Sequence, residues 1–217
     1  MKLPIIVIGA GGHAGVVADA LLAVGEQVLG FTDADASRHG RTLCGLPVLG
    51  DDRVLEAHES QSLLLANGIG GVGRLRDDAL RRKVQQRLAT RGWRFATVRH
   101  PAALVSPFAR VGDSAQLFAA SVIQPGAVVS GGVIVNTAAV VEHDAELGGW
   151  VHVAPRALVC GGVKIGANSH IGAGAIIRQG LHLGDDTVVG AGAVVVKDFA
   201  GGGILIGVPA RRVETKS

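Results

Sequence analysis

The sequence predicts a two-part fold: an α/β N-terminal half-Rossmann domain followed by a parallel β-helix built on a hexapeptide repeat. Three observations predict it. From Val105 to Val195 every sixth residue is aliphatic, running through Val111, Leu117, Ile123, Val129, Val135, Val141, Leu147, Val153, Val159, Ile165, Ile171, Ile177, Leu183 and Val189. A short apolar run, Ile5–Ile8, passes directly into the glycine loop Gly9-Ala10-Gly11-Gly12. The composition is rich in Gly (33 residues) and poor in rings (3% aromatic, no Tyr). A six-residue period is the signature of a β-helix in which each hexad is one short strand and a corner. Three hexads close a triangular coil, and the aliphatic residue of each points inward. A narrow prism lined by Val, Ile and Ala has little room for rings, and its corners favour Gly.

The elements follow in order. Ile5–Ile8 is a continuous apolar run, typical of a strand covered on both faces. The segment 14–24 reads as a helix stopped by Gly25, and Val28–Thr32 as a second strand ending at Asp33. Val48-Leu49 sits in a short connecting element, and 62–66 is a third strand. The segment 77–91 is helical, with Leu80, Val84 and Leu88 at four-residue spacing and Gly92 as its stop. A fourth strand spans 94–98. This alternation gives a small parallel sheet, so the division expected is 1–98 for the Rossmann-like domain and 99–217 for the prism and its tail. Ile204–Ala210 supplies a final strand and turn.

Composition limits the function. Net charge is +3 and the isoelectric point is about 9.2. The basic residues are scattered, apart from short clusters at Arg81-Arg82-Lys83 and Arg211-Arg212, and no stacking aromatics accompany them. Nucleic acid is therefore not the expected partner. The two cysteines, Cys44 and Cys160, show no paired spacing, so neither a disulfide framework nor a zinc motif is expected. The apolar start is too short for a signal-peptide core, and no run reaches membrane-spanning length. A cytoplasmic protein without membrane insertion is the expectation.

Two stretches carry chemistry. Gly9-Ala10-Gly11-Gly12-His13-Ala14 satisfies G-x-G-x-x-G/A between a strand and a helix. Its backbone N–H groups can approach a phosphate at the helix N-terminus. Asp33, 24 residues after Gly9, is placed to accept from ribose hydroxyls. His13 is unusual in such a loop and beside phosphates could donate a hydrogen bond. In the prism, Glu142-His143-Asp144 offers an imidazole with adjacent acids, the combination that a general base needs. His152 and His170 both precede an inward residue and lie one coil apart, so they should stack in one column. Read without further context they are surface ladder residues. His182 shares their hexad position but falls on another side of the triangle.

Together with Asn136-Thr137, His152-Val153-Ala154-Pro155 and Gly207-Val208-Pro209-Ala210, these motifs resemble the sugar acyltransferases of the sialic-acid O-acetyltransferase and bacillosamine N-acetyltransferase type. The resemblance covers nearly the whole chain and is strongest for N-acetyltransferases acting on nucleotide-linked 4-amino sugars. It implies left-handed β-helices assembled as a homotrimer, with acetyl-CoA as co-substrate in a groove between prisms and no metal. It implies His143 as general base and Asp144 as the acid that raises its basicity. It implies His152, Ala173 and Ala191 as acetyl-CoA contacts. It further implies Gly11, Gly12, His13, Asp33, Asn67 and Gly68 as the nucleotide-sugar site, for a UDP-, GDP- or dTDP-linked 4-amino-4,6-dideoxy sugar. The chain departs from the family where Asp33-Ala34 replaces a frequent Asp-Asp and where the Asn67–Gly71 loop is longer than in some members. Four other readings stay open. One is O-acetylation of a sugar hydroxyl. A second is a metal hydratase of the γ-carbonic-anhydrase kind, although the 143/152/170 spacing does not match its ligand pattern. A third is a nicotinamide-binding protein, and a fourth a non-catalytic trimeric scaffold.

Overall fold

The computed structural model describes residues 2–71 and 78–213. The N-terminal domain is a sheet of β1 (Ile5–Ile8), β2 (Val28–Thr32), β3 (Thr42–Leu43), β4 (Leu46–Gly50) and β5 (Leu64–Asn67), in the order β3-β4-β2-β1-β5. All pairings are parallel except β3–β4, a hairpin. The connecting element expected at Val48-Leu49 is thus a genuine strand, because Val48 pairs with Phe31. Helix α1 (Gly12–Ala23) covers one sheet face and α2 (Asp78–Thr90) the other. The expected start of the second helix at Asp77 lies outside the described residues. Gly68 lets α1 approach β5: a Cβ there would meet Ala14 Cβ and Val7 Cγ1, each at 2.7 Å.

The C-terminal domain is a left-handed parallel β-helix of two-residue strands, three faces to a coil. The inward residues of the repeat and the residues two positions before them, mostly Ala or Val, form one continuous core, including Ala139, Val141, Ala145, Leu147, Val151 and Val153. Each face has its own outward column. One carries Arg110, Val128, Glu146, Lys164 and His182, with a Lys164–Glu146 ion pair of 3.0 Å. This is a polar face. A second carries Leu104, Val122, Val140, Leu158, Ile176 and Val194, six aliphatic side chains on the outside of a sheet. Leu104 is 66% exposed and Ile176 38%. The third carries Gln116, Ile134, His152, His170 and Val188, and this is the face on which the N-terminal domain sits.

Two contacts fix that docking. Phe118 and Ile134 of the prism join the apolar cluster around α1. At the adjacent corner, Ser114, Gly132, Trp150 and Asn168 stack one coil apart, all with φ between 54° and 67°. Helix α2 lies along this column. Gln85 Nε2 donates to Ser114 Oγ at 2.8 Å, Arg81 donates to the carbonyls of Gly132 and Trp150, and Arg82 donates to Asn168 Oδ1 at 2.6 Å. The Arg81 guanidinium also lies 5.2 Å from the Trp150 ring centroid and is 1% exposed. The basic cluster at 81–82 is therefore the fastening between domains. Of the apolar stripe on this helix, Leu88 is in the core and Val84 packs against it, whereas Leu80 turns outward and is 56% exposed. The prism corner presents carbonyl oxygens, and cationic donors satisfy those better than a leucine can.

The fourth strand expected at 94–98 is divided. Phe95 bridges Leu65 in the N-terminal sheet, whereas Val98-Arg99 pairs with Gln116-Leu117 and caps the docked face of the prism. The tail strand Gly203–Ile206 closes the opposite end of that face, paired with Thr187–Val189 and with Arg211-Arg212. Among the described residues no helix is long and apolar enough to cross a membrane.

Candidate active site

A cavity of about 700 Å³ lies at the junction of the two domains. Gly9–His13, Asp33–Asp35 and Arg38 line one side, Gly68–Gly71 with Leu80, Val84 and Arg87 another, and Asn136 and His152 of the prism its floor. Helix α1 starts at this wall. Its cap is Gly11, with no side-chain cap and no acidic residue in the first turn. Its first N–H groups and the positive end of its dipole are thus left to an anionic ligand. Arg38 stands beside them and donates to Ala10 O at 2.7 Å.

The two carboxylates after β2 divide the work. Asp33 Oδ2 accepts from Ala10 N at 2.8 Å and Oδ1 from Asp35 N at 2.9 Å, so this acid also braces the glycine loop. Asp35 lines the cavity too, and hydrogen bonds from Ser37 hold its carboxyl below the usual range. Asp52, Arg38 and Arg87 are further lining residues that sequence reasoning missed. The only signal was their position just beyond strand ends or on the exposed face of α2.

Gly11, Gly12, His13, Asp33 and Gly68 all line the cavity, whereas Asn67 sits behind the wall. Asn67 is 4% exposed. Its Nδ2 donates to Arg81 O and Gln85 Oε1, both at 3.0 Å, and its Oδ1 accepts from Ile69 N at 3.1 Å. It shapes the loop that touches the ligand space.

His152 and His170 stack as the register requires, with ring centroids 4.8 Å apart and planes at 88°. They are not on the surface: they are 5% and 7% exposed, because this is the docked face. Asn136 Oδ1 accepts from Thr137 N at 2.8 Å, which turns Asn136 Nδ2 toward His152 Nε2 at 3.2 Å. Nε2 of His152 must then be the acceptor, and Nδ1 carries the proton. Burial, and then the neighbouring His170, hold the His152 pKa well below the ordinary value of 6.5. His13 is also lowered, first by burial. A histidine kept neutral by the fold takes up a proton more readily when unfolded. Its contribution is fully present above about pH 6.5 and is lost as pH falls below that value toward the depressed folded pKa. Thermal stability should therefore fall as pH drops from about 7 to about 5, above the carboxylate range, and His152→Phe should flatten that slope. An unchanged slope in the variant would show that His152 does not carry it.

His143 and Asp144 occupy a different corner, between the apolar and polar faces. His143 is exposed, and its Nδ1 lies 2.9 Å from Asp144 Oδ2. Asp144 adopts φ 58° to reach it. With Nδ1–H donating to the carboxylate, Nε2 is left with its lone pair. Glu142, the other flanking acid, does not touch the ring; it faces Cys160, whose thiol is pushed up by burial and by that charge. A raised thiol pKa makes Cys160 a poor nucleophile. The sequence pattern did not reveal Gly161. A Cβ at this position would meet His143 Nε2 at 2.5 Å. Gly161 does not have positive φ, so Gly161→Ala should fold while displacing the imidazole. Its kcat should fall by roughly tenfold to a hundredfold, the scale of a small misplacement. Turnover equal to wild type would show that the ring does not work from this position.

Ala173 and Ala191 lie one coil apart on the corner below Asn136-Thr137 and Pro155, and both are exposed. Backbone bonds tie the column together, Gly174 N to Pro155 O at 3.0 Å and Gly192 N to Ala173 O at 2.9 Å. The small side chains leave this corner open to solvent. Among the described residues no three His, Cys, Asp or Glu side chains gather as a metal-binding group.

A half-Rossmann domain docked on a hexapeptide prism, with a polar cavity at the junction, is the architecture of sugar acyltransferases, and comparison with known proteins agrees. Residues 4–88 match the PglD N-terminal domain family and residues 162–197 the bacterial transferase hexapeptide family. The acetyltransferase domain of PglB from Neisseria gonorrhoeae FA1090 is 36% identical, with a TM-score of 0.90, over 98% of this chain and 100% of that one. PerB from Caulobacter crescentus, solved with CoA and GDP-perosamine, is 37% identical, with a TM-score of 0.89, over 97% of each chain. WeeI from Acinetobacter baumannii AYE is 25% identical, with a TM-score of 0.76, over 98% of this chain and 100% of that one. No match was found among curated proteins. The chain belongs to the hexapeptide-repeat sugar N-acetyltransferase family and is an acetyltransferase.

Proposed function

We propose that this protein transfers the acetyl group of acetyl-CoA to the amino group of a nucleotide-linked 4-amino-4,6-dideoxy sugar. The observation that carries this is the junction cavity. It runs from an uncapped helix N-terminus and Arg38, suited to phosphates, to Asn136 and His152 on the prism. PerB was solved with CoA and GDP-perosamine, and the PglB domain with acetyl-CoA. By likeness, the nucleotide sugar occupies the cavity and CoA the edge at Ala173 and Ala191. Both are held in the cytoplasm.

His143 does not line the cavity of its own chain, because it stands on a corner that the docked face does not reach. A homotrimer resolves this. The aliphatic column Leu104, Val122, Val140, Leu158, Ile176 and Val194 needs a cover, and a second prism supplies one. Rotation about an axis parallel to the prism keeps every residue at its height. His143 and His152 belong to the same coil, so the His143 of one protomer meets the cavity floor of its neighbour.

The amine nitrogen then attacks the thioester carbonyl carbon while His143 Nε2 takes one N–H proton. A C–N bond forms, and the oxyanion is held by backbone N–H groups of the prism. On collapse the C–S bond breaks, and the CoA thiolate leaves with the proton from the imidazolium. Asp144 keeps Nε2 bare and stabilises the charged ring in between. The test is release of free thiol from acetyl-CoA against nucleotide-linked amino sugars, with the corresponding hydroxy sugars alongside. Release with a 4-amino sugar supports the reading; release only with hydroxy sugars replaces it with O-acetylation.

A further inference from the structure

His13 has a partner that fixes which of its nitrogens can bind a ligand. Gln116 is 1% exposed on the docked face of the prism. Its Nε2 donates to the Asn67 carbonyl at 2.6 Å. A carbonyl can only accept, so the orientation of the Gln116 amide is set and Oε1 is the atom facing His13 Nε2, at 2.8 Å. That contact requires a proton on His13 Nε2. The ring is further confined by Phe118, edge-on with centroids 5.4 Å apart, and lies so near Gly70 that a Cβ there would fall 3.0 Å from His13 Cβ. Burial keeps the ring neutral. The remaining polar atom, Nδ1, carries a lone pair.

This rests on reading the cavity as the nucleotide-sugar site. There a bare nitrogen repels a phosphate oxygen, since both are acceptors, and attracts a hydroxyl. We propose that Gln116 is a positioning residue that holds His13 as a hydrogen-bond acceptor for a hydroxyl of the hexose, not as a donor to phosphate. The chain Asn67–Gln116–His13 crosses the domain junction, so the docking of the two domains sets the chemistry of the sugar subsite. The expectation that His13 donates to phosphates gives way, because its one N–H is already engaged. The hexose is thereby placed at His13, with the phosphates toward Arg38.

The tautomer is tested without substrate, by nitrogen NMR of the intact enzyme labelled in histidine, with His13→Ala identifying the signals. Nδ1 bare and Nε2 protonated at neutral pH is the expected result; a protonated Nδ1 overturns the proposal. Kinetics with the accepted amino sugar test the role. Gln116→Leu should raise KM by roughly tenfold and change kcat by less than about threefold, the scale of one neutral hydrogen bond. Gln116→Glu keeps an acceptor for Nε2–H but adds a charge that favours the imidazolium, against the opposing influence of Arg81 and, nearby, His152. Its KM should be high at low pH and approach the wild-type value as pH rises. A merely structural role would give the same KM at every pH. Substrates lacking single ring hydroxyls identify the partner: the loss caused by one of them should not add to that of Gln116→Leu. Wild-type KM in Gln116→Leu, with assembly and melting temperature intact, overturns the proposal. If no nucleotide sugar is turned over by the wild type, the proposed function fails, and the NMR result alone decides the tautomer.

Discussion

His143→Ala should lower kcat by roughly a hundredfold to ten-thousandfold, the range for loss of a general base. KM for both substrates should stay close to the wild-type value, because the ring is exposed on a prism corner, beside Asp144 and over Gly161. The same exposure means the fold should be unaffected. The proposed trimer adds a sharper consequence. If the base comes from one protomer and the cavity from its neighbour, mixing His143→Ala subunits with cavity-defective His13→Ala subunits should restore partial turnover. Unmixed preparations of either variant should stay low. Unchanged kcat in His143→Ala would remove the assigned base. Loss of kcat without complementation would leave the base in place and refute its supply by a neighbour.

The second large effect is on stability. Arg81→Ala should destabilise the protein by about 3–5 kcal/mol, seen as a lower denaturant midpoint. The guanidinium donates to the Gly132 and Trp150 carbonyls, stacks over the Trp150 ring and is fully buried. Its removal leaves the buried Gly132 carbonyl and the part-buried Trp150 carbonyl without these donors, and a void beneath α2. The loss should be concentrated at the domain junction, so nucleotide-sugar KM should rise as well. Asn67 explains the coupling, because it donates to the Arg81 carbonyl and shapes the Gly68–Gly71 wall. Arg82→Ala should be milder, since Asn168 can turn to solvent. A change below about 1 kcal/mol in Arg81→Ala would mean that α1, through Phe118 and Ile134, carries the docking alone.

Most of the prism was legible in the sequence. The aliphatic register assigned an inward residue to every strand, and it gave correct addresses to His143, to the stacked pair His152 and His170, and to His182 on another face. The glycine loop and Asp33 were legible as well, because a strand, turn and helix so close together can meet in only one way. Less legible were residues with two uses. Asn67 looked like a ligand contact and stands behind the wall; Asp33 faces the cavity and also ties the loop to itself. Leu80 and Val84 marked a helical face by their spacing; both line the cavity, and Val84 also packs against the core.

The repeat by itself determined the β-helix, the composition of its core and the vertical order of its histidines. These follow from backbone periodicity, which is local and recurs in every coil. Only the tertiary structure decided which of the three faces the N-terminal domain covers. That choice depends on a surface match between segments far apart in the chain: α2 with the column at 114, 132, 150 and 168, and α1 with Phe118 and Ile134. It buried His152 and His170, turned Arg81 and Arg82 from apparent surface charge into a fastening, and brought Gln116 to His13. No period encodes such a match, because it is made once, between two rigid bodies, by the donors and acceptors that happen to face each other.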